Sequence, residues 1–576
     1  MDVLSHMKHK YIIISIAQHT QTPHNSYSNK TSFLSRVYSS TMFSGDQPEK
    51  EHLLILPSAK EEGKATSSKR SYDDTIERCI GKFGWAQFLQ VILASLAWAF
   101  DAQQTFITVF TDRVPTWHCD TSYASSQCSH DGMQVAEVCA LPKDAWAWDT
   151  PAHTSIVSEW SLECAGPFVT GLPATSFFFG CLVGGLLLST FADSSFGRKK
   201  MLAFSCLLMN VASILTVTST NVWAYSFWKF LTGFARATIG TCALVLSTEI
   251  VGRRWRGQVG IMGFVCFSLG FLSLPAIAYL NSESSWRYLY LWTGIPGIIH
   301  SLLVFLFVHE SPRWLYVRGL TKDFVQTIRN IAPPDTRNLI TCSFFGSFIE
   351  DHGLTPDLHD DNQNHMDLYS ALKVLLNKRW AVRRLWAIMC AAFGFGMVYY
   401  GIPLCAGEMP FSIYLSTALN ALSELPASLI TSLMIDKLRR RTSVLCMGFL
   451  CCVCCFGCAM LAGDTLKFLQ IGLEVVAFFS GCTGFGLVLI YTLDLFPTCV
   501  RNSAMAIVRQ AMMLGGVISP LFVGLGRTNR YYSYGVFGLT TGMCCLFVIP
   551  LPETFGRDIC DTIEEEERRD GGETKV

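Results

Sequence analysis

The stretch 166–192, GPFVTGLPATSFFFGCLVGGLLLSTFA, holds no Asp, Glu, Lys or Arg and runs straight into DSSFGRKK at 193–200. An ionised side chain at the centre of a bilayer costs several kcal/mol, so the run reads as a helix that crosses a membrane and stops at its surface. Five more uncharged stretches share this character: Met201 to Trp228, Gln258 to Ser282, Leu385 to Gly407, Thr442 to Gly463 and Tyr531 to Pro552. Further spans fit at about 84–110, 222–250, 287–308, 410–434, 467–492 and 503–526, although these carry isolated charges such as Asp101, Arg236, Glu424, Glu474 and Arg509. The expectation is an all-α membrane protein of twelve transmembrane helices, because a backbone without water must satisfy its hydrogen bonds within its own segment.

Composition agrees. Hydrophobic residues make up 50% of the 576 and charged residues 16%, against roughly a quarter charged in a soluble domain. That disfavours a soluble enzyme. Lys+Arg 45 balance Asp+Glu 45, so no overall basic field draws the chain to nucleic acid. Basic clusters follow the even-numbered spans: Arg198–Lys200, Arg253, Arg254 and Arg256, and Lys437 with Arg439–Arg441. They predict that these loops and both tails face the cytosol, with Arg527 and Arg530 dissenting.

The expected organisation is a disordered cytosolic tail at 1–82, a first six-helix half at 83–308, a cytosolic linker at 309–380, a second half at 381–552 and a cytosolic tail at 553–576. In the first tail, Glu49 with Leu53 and Leu54 has the form of an acidic dileucine sorting signal, ExxxLL. The 111–165 loop faces the lumen or the outside and carries Cys119, Cys128, Cys139 and Cys164, an even set that suggests two disulfides in any of three pairings. The cysteines of the ninth span read as packing residues, and no metal site or cofactor is expected. Ser247–Arg254 lacks the first Gly, the Lys and the final hydroxyl of a phosphate loop, and no strand precedes it.

The strongest signal is an internal repeat. Asp193, followed by Gly197 and Arg198, recurs 243 residues later as Asp436, followed by Arg439. Glu249 and Arg256, seven apart, recur as Asp494 and Arg501, also seven apart. Glu310 with Arg313 recurs, again 243 residues on, as Glu553 with Arg557. The chain is therefore expected to be two six-helix pseudo-repeats related by an axis along the membrane normal. These thirteen positions are candidate gate residues: when the cytosolic ends close together, the acids would meet neighbouring arginines in partly desolvated pairs that stabilise the outward-open state.

DSSFGRK at 193–199 resembles the loop motif of the major facilitator superfamily, while HESPRWL at 309–315 and YTLDLFPTCVRN at 491–502 resemble its organic-ion branch. SEWSLEC at 158–164, FDAQQTFITVFTDRVPTWHC at 100–119 and GTCALVLSTEIVGRRWRG at 240–257 look closest to plant organic cation/carnitine transporters, over about 80–557. The resemblance implies the major facilitator superfamily fold and a secondary transporter, not an enzyme. It would carry small organic cations or carnitine-like zwitterions by alternating access, as a monomer, in the vacuolar or plasma membrane. Proton coupling stays open, as do a sugar or organic-anion carrier and a non-transporting membrane receptor.

Candidate substrate residues lie near mid-depth. Tyr399, Tyr400 and Phe177, with Phe178, Phe179 and Trp98, offer aromatic faces to an ammonium. Arg236, Glu424, Glu474 and Arg509 are intramembrane charges, which need a partner or an aqueous cavity. Arg236 is the first choice for coupling or a carboxylate contact, and Glu474 with Arg509 is a possible structural pair. Met513 falls where the resemblance implies Asp in cation carriers and Arg in anion and carnitine carriers, so it departs from both.

Overall fold

The structure is a computed structural model that describes residues 83–119, 141–193, 196–333, 375–408, 411–434, 439–461, 466–526, 530–556 and 562–573, and a few single positions. Glu49, Leu53, Leu54, Cys128, Asp436 and Arg557 lie outside the described residues. The first half comprises α1 (Trp85–Thr111), β1 (Trp117–Cys119), β2 (Trp146–Trp148), α2 (Ile156–Glu159), α3 (Pro167–Asp193), α4 (Arg198–Leu215), α5 (Val222–Glu249), α6 (Arg256–Leu280) and α7 (Trp286–Phe307). Two short helices follow, α8 (Pro312–Val317) and α9 (Thr321–Ile331). The second half comprises α10 (Arg379–Leu404), α11 (Ile413–Met434), α12 (Arg440–Met460), α13 (Lys467–Leu495), α14 (Thr498–Gly526) and α15 (Arg530–Leu546), and α16 (Ile563–Glu573) ends the described chain.

Ten of these helices are long and apolar enough to cross a membrane. The other two complete the twelve: α11, whose apolar run is diluted by Asn420 and Glu424, and α15, with 17 residues. The chain thus has the twelve-helix, two-half architecture that the repeat implies. Within the first half, α3 packs tightly on α5, because Gly180 and Gly233 bring their helices so close that a Cβ at either would strike the backbone of the other helix, at Phe230 and Phe177 respectively. Small residues at such crossings supply the packing that lipid cannot drive. The halves meet through α3 against α14 and α6 against α11.

The loop after α1 folds as an antiparallel hairpin of β1 and β2, with Trp117 opposite Trp148. Cys139 and Cys164 form a disulfide, and Cys119 is also disulfide-bonded, to a partner outside the described residues. The loop is fixed to α7 by Glu159, whose carboxylate accepts from Trp286 Nε1 and Arg287 Nη1, both at 2.7 Å. Burial opposes ionisation of Glu159, but the bonds from Arg287 and Trp286 more than offset it and hold the carboxyl below its ordinary range. At the other end, α16 is tied to α10 by Glu566 on Arg384 Nη1 (2.6 Å) and Glu567 on Lys378 Nζ (2.9 Å).

Candidate functional site

The bundle has a disulfide end, carrying the 112–166 loop, and a basic end, carrying the Arg/Lys clusters. At the basic end the repeat reappears as matched geometry. Glu310 accepts from the backbone N–H groups of Arg198 (2.9 Å) and Lys199 (3.0 Å), capping the N-terminus of α4. Glu553 accepts from the N–H of Arg441 (3.4 Å) at the start of α12, and both bonds span 112 residues. A carboxylate here meets unsatisfied N–H groups and the positive end of the helix dipole. Gly197 enters α4 at φ +82°, and a Cβ there would strike the Glu310 carboxylate, so both the backbone and the space require glycine.

The second pair is matched as well. Glu249 accepts from the Ser311 hydroxyl, and Asp494 accepts from the Thr554 hydroxyl at 3.4 Å. Asp494 adds an ion pair with Arg440 Nε at 3.0 Å. The bonds of Glu249, Glu310, Asp494 and Glu553 all stay within their own half. Arg439 is exposed, and Arg256, Arg313 and Arg501 are half-buried at this end. Arg198 begins α4, and Asp193 ends α3. Beside this cluster, burial lowers the affinity of His309 for a proton, and the Lys199 charge adds to the effect.

At the disulfide end, contacts cross between halves. Arg113 Nη1 donates to Tyr414 Oη at 3.1 Å, the Phe110 and Tyr414 rings stack at 5.7 Å, and Tyr279 meets Tyr414 edge-on at 5.5 Å. Deeper, Thr175 Oγ1 donates to the Val517 carbonyl at 3.2 Å. This end is held shut by bonds between halves, whereas the four carboxylates of the basic end bond locally.

Between these ends lies an aromatic interior. The Tyr399 ring packs on Phe478 (5.8 Å), Phe485 (4.8 Å), Tyr400 (5.0 Å) and, across the halves, Phe106 (6.2 Å). Tyr400 meets Phe178 of the other half at 4.6 Å, and its hydroxyl points to Met513 Sδ at 3.7 Å. Tyr399 Oη donates to Glu424 Oε1 at 2.7 Å, while Glu424 Oε2 is buried without a hydrogen-bond partner among the described residues. Arg509, near Tyr400 and Arg236, has no ion-pair or hydrogen-bond partner among the described residues. Glu474, fully buried, accepts from Ser416 Oγ (3.1 Å) and Asn420 Nδ2 (3.0 Å), so Glu474 and Arg509 do not form the pair entertained from sequence.

Arg236 is already occupied. Its Nε and Nη2 donate to Asp101 Oδ1 (2.5 Å) and Oδ2 (2.9 Å) in a two-pronged ion pair, with Asp101 3% exposed. The Phe177 ring lies under two of the protein's own cations, Lys229 at 4.7 Å and Arg236 at 5.6 Å, so its face is not open to a substrate. Phe179 is half exposed on the bundle exterior against Phe230, and Trp98 packs on Phe264 and Phe267. Sequence reasoning missed Lys229 and Asp112. Lys229 Nζ is wholly buried, 3.5 Å from the Gln104 carbonyl, and Asp112 accepts from Tyr225 Oη and Thr111 Oγ1, both at 2.8 Å. A signal for Lys229 was present: it stands seven residues before Arg236, two turns along one helix face.

Comparison with known proteins agrees with this layout. The sequence profile of the Major Facilitator Superfamily matches residues 156–520 and 417–556. "Organic cation/carnitine transporter 3" of Arabidopsis thaliana is 54% identical over 86% of this chain and 94% of its own length. "Organic cation/carnitine transporter 2" of the same plant is 52% identical over 88% and 95%. A Mus musculus "Organic cation/carnitine transporter 2" is 30% identical over 73% of each chain. Among solved structures, the inward-open xylose transporter XylE from E. coli superposes with a TM-score of 0.58 at 16% identity, over 84% of this chain and 98% of that one. That likeness establishes the fold alone.

Proposed function

The chain belongs to the major facilitator superfamily, among its organic cation/carnitine transporters, and from that premise we propose that it moves small organic cations and carnitine-like zwitterions across a membrane by alternating access. The observation that carries the proposal is the pairing of two unanswered charges around the tyrosines. Glu424, with one oxygen lacking a hydrogen-bond partner among the described residues beside Tyr399, suits an ammonium group, and Arg509, beside Tyr400 and near Asp101 but without a hydrogen-bond or ion-pair partner among the described residues, suits a carboxylate. The tyrosine and phenylalanine faces add cation–π attraction of about 0.5–2 kcal/mol each.

Alternating access is supported by the contrast between ends. On this reading the contacts of Arg113 and Phe110 with Tyr414 belong to a state open toward the basic end, and the positive-inside rule favours the cytosol for that end and both tails. In the opposite state the basic ends would approach, and the gate positions would exchange local bonds for bonds between halves. Proton coupling fits Glu424 and Glu474 better than Arg236. A buried carboxylate held by neutral donors can change protonation without breaking an ion pair, whereas Arg236 is locked on Asp101. The protein is taken to act as a monomer, at the plasma or vacuolar membrane.

The test is uptake of labelled choline, tetraethylammonium and carnitine into vesicles, with and without a pH gradient. Saturable uptake of the cations and of carnitine, cross-inhibited, is expected. Uptake of sugars alone would overturn the proposal. Replacing Leu53 and Leu54 by Ala should move the protein toward the cell surface, and an unchanged distribution would remove the vacuolar address.

A further inference from the structure

We propose that the pocket around Arg113 at the disulfide end is a binding site for a small organic carboxylate, separate from the tyrosine-lined interior. The pocket is small and partly open to solvent, and its wall includes Thr111, Arg113, Ser282, Ser284 and Trp286 of the first half and Tyr414 of the second. A guanidinium presents five N–H donors. Arg113 uses one of them on a neutral hydroxyl, that of Tyr414, and no carboxylate lies within ion-pair distance of it among the described residues. Of the neighbouring acids, Asp112 accepts from Tyr225 and Thr111 and Glu159 is taken by Arg287 and Trp286, while Glu283, between the two serines, is exposed to solvent.

A half-buried cation with free, forked donors fits the two oxygens of a carboxylate, which it binds in parallel N–H···O bonds. The Ser282 and Ser284 hydroxyls can complete the oxygen shell, while Phe110, Ala278 and Leu289 provide an apolar wall. That wall suits an organic acid over a strongly hydrated phosphate. Because Tyr414 belongs to the other half, an occupant touching both Arg113 and Tyr414 holds this end shut. The carboxylate can come from a free acid or from the carboxylate end of a zwitterion. The inference concerns binding alone, so it stands or falls independently of the transport proposal.

The test uses the purified full chain in detergent with Asn281→Cys, a lining position given no part in binding, measuring how fast a maleimide labels that position. Acetate at about ten times its Kd leaves roughly a tenth of the sites empty and should slow labelling about tenfold, and choline should not. Arg113→Gln should abolish the protection, and Arg113→Lys should keep part of it. Tyr414→Phe, which frees another Arg113 donor, should retain it, so the result does not depend on one variant folding. Protection by both acetate and carnitine identifies the zwitterion as a source, and protection by acetate alone identifies a free acid. Failure of acetate to slow labelling, equal protection after Arg113→Gln in monodisperse protein, or equal protection by choline would overturn the proposal.

Discussion

In the first half, Asp101 and Arg236 bind each other through two bonds, and Asp112 is held by Tyr225 and Thr111. In the second half, Glu424 and Glu474 rest on Tyr399, Ser416 and Asn420, all neutral, and Arg509 has no ion partner among the described residues. The contrast is chemical. An ion pair inside a bundle resists change, because removing one partner strands a buried charge. A carboxylate bound by neutral donors can lose its charge to a proton or share it with an incoming cation at far smaller cost. The Asp101–Arg236 pair of the first half is thus a fixed element, and Glu424 and Glu474 of the second half are groups whose charge state can change.

The largest expected effect tests the fixed pair. Asp101→Asn should lower unfolding stability by about 3–5 kcal/mol, read as a fall in melting temperature in detergent, and Asp101→Asn with Arg236→Gln should recover most of it. Glu474→Gln should cost about 1 kcal/mol or less, because its neutral partners can adjust to an amide. Equal losses from Asp101→Asn and Glu474→Gln would erase the contrast.

The basic end, where both halves repeat one motif, provides the next test. Neutralising Asp193 and Asp436 together should shift the population toward the cytosol-open state at least about tenfold, if each pair contributes about 1 kcal/mol in one state only. Accessibility of an engineered cysteine at the disulfide end reports the shift, and each single change should give about half of it in free energy. A lone effect of one member would show that the motif is used asymmetrically.

A smaller effect is expected in the interior. Glu424→Gln should raise the KM for simple monovalent cations about tenfold, and Arg509→Gln should weaken carnitine uptake while sparing those cations. If Arg509→Gln harms both equally, Arg509 is a structural cation like Arg236 and the second half is as fixed as the first. The smallest effect is expected at Met513, whose thioether sits against the Tyr400 hydroxyl. Met513→Asp should change the cation-to-carnitine uptake ratio by about threefold in favour of cations, since an added half-buried carboxylate attracts one and repels the other. An unchanged ratio would place that face of α14 outside the substrate path.

Much of this was legible in the sequence because lipid makes hydrophobicity a direct readout. An uncharged run such as 166–192 has no alternative to a spanning helix, and the recurrence of acids at offsets of 243 and 245 residues locates the matched carboxylates from the sequence. What those carboxylates touch was not legible. Glu310 and Glu553 looked like partners for arginine side chains, yet both cap helix N-termini through backbone N–H groups, which no side-chain pattern advertises.

By itself the sequence determined the number of spans, the two-half repeat, the family and most of the intramembrane charges, Lys229 excepted, because each depends on local composition or on spacing along the chain. Only the tertiary structure decided which charges answer one another. Asp101 and Arg236 are 135 residues apart, Tyr399 reaches Glu424 over 25, and Arg113 meets Tyr414 over 301. Such pairs depend on how helices rotate and cross, and those angles are set by close approaches such as α3 on α5 at Gly233. A hydrogen bond needs its partner within about 3 Å, a tolerance that spacing along a chain cannot supply across a bundle.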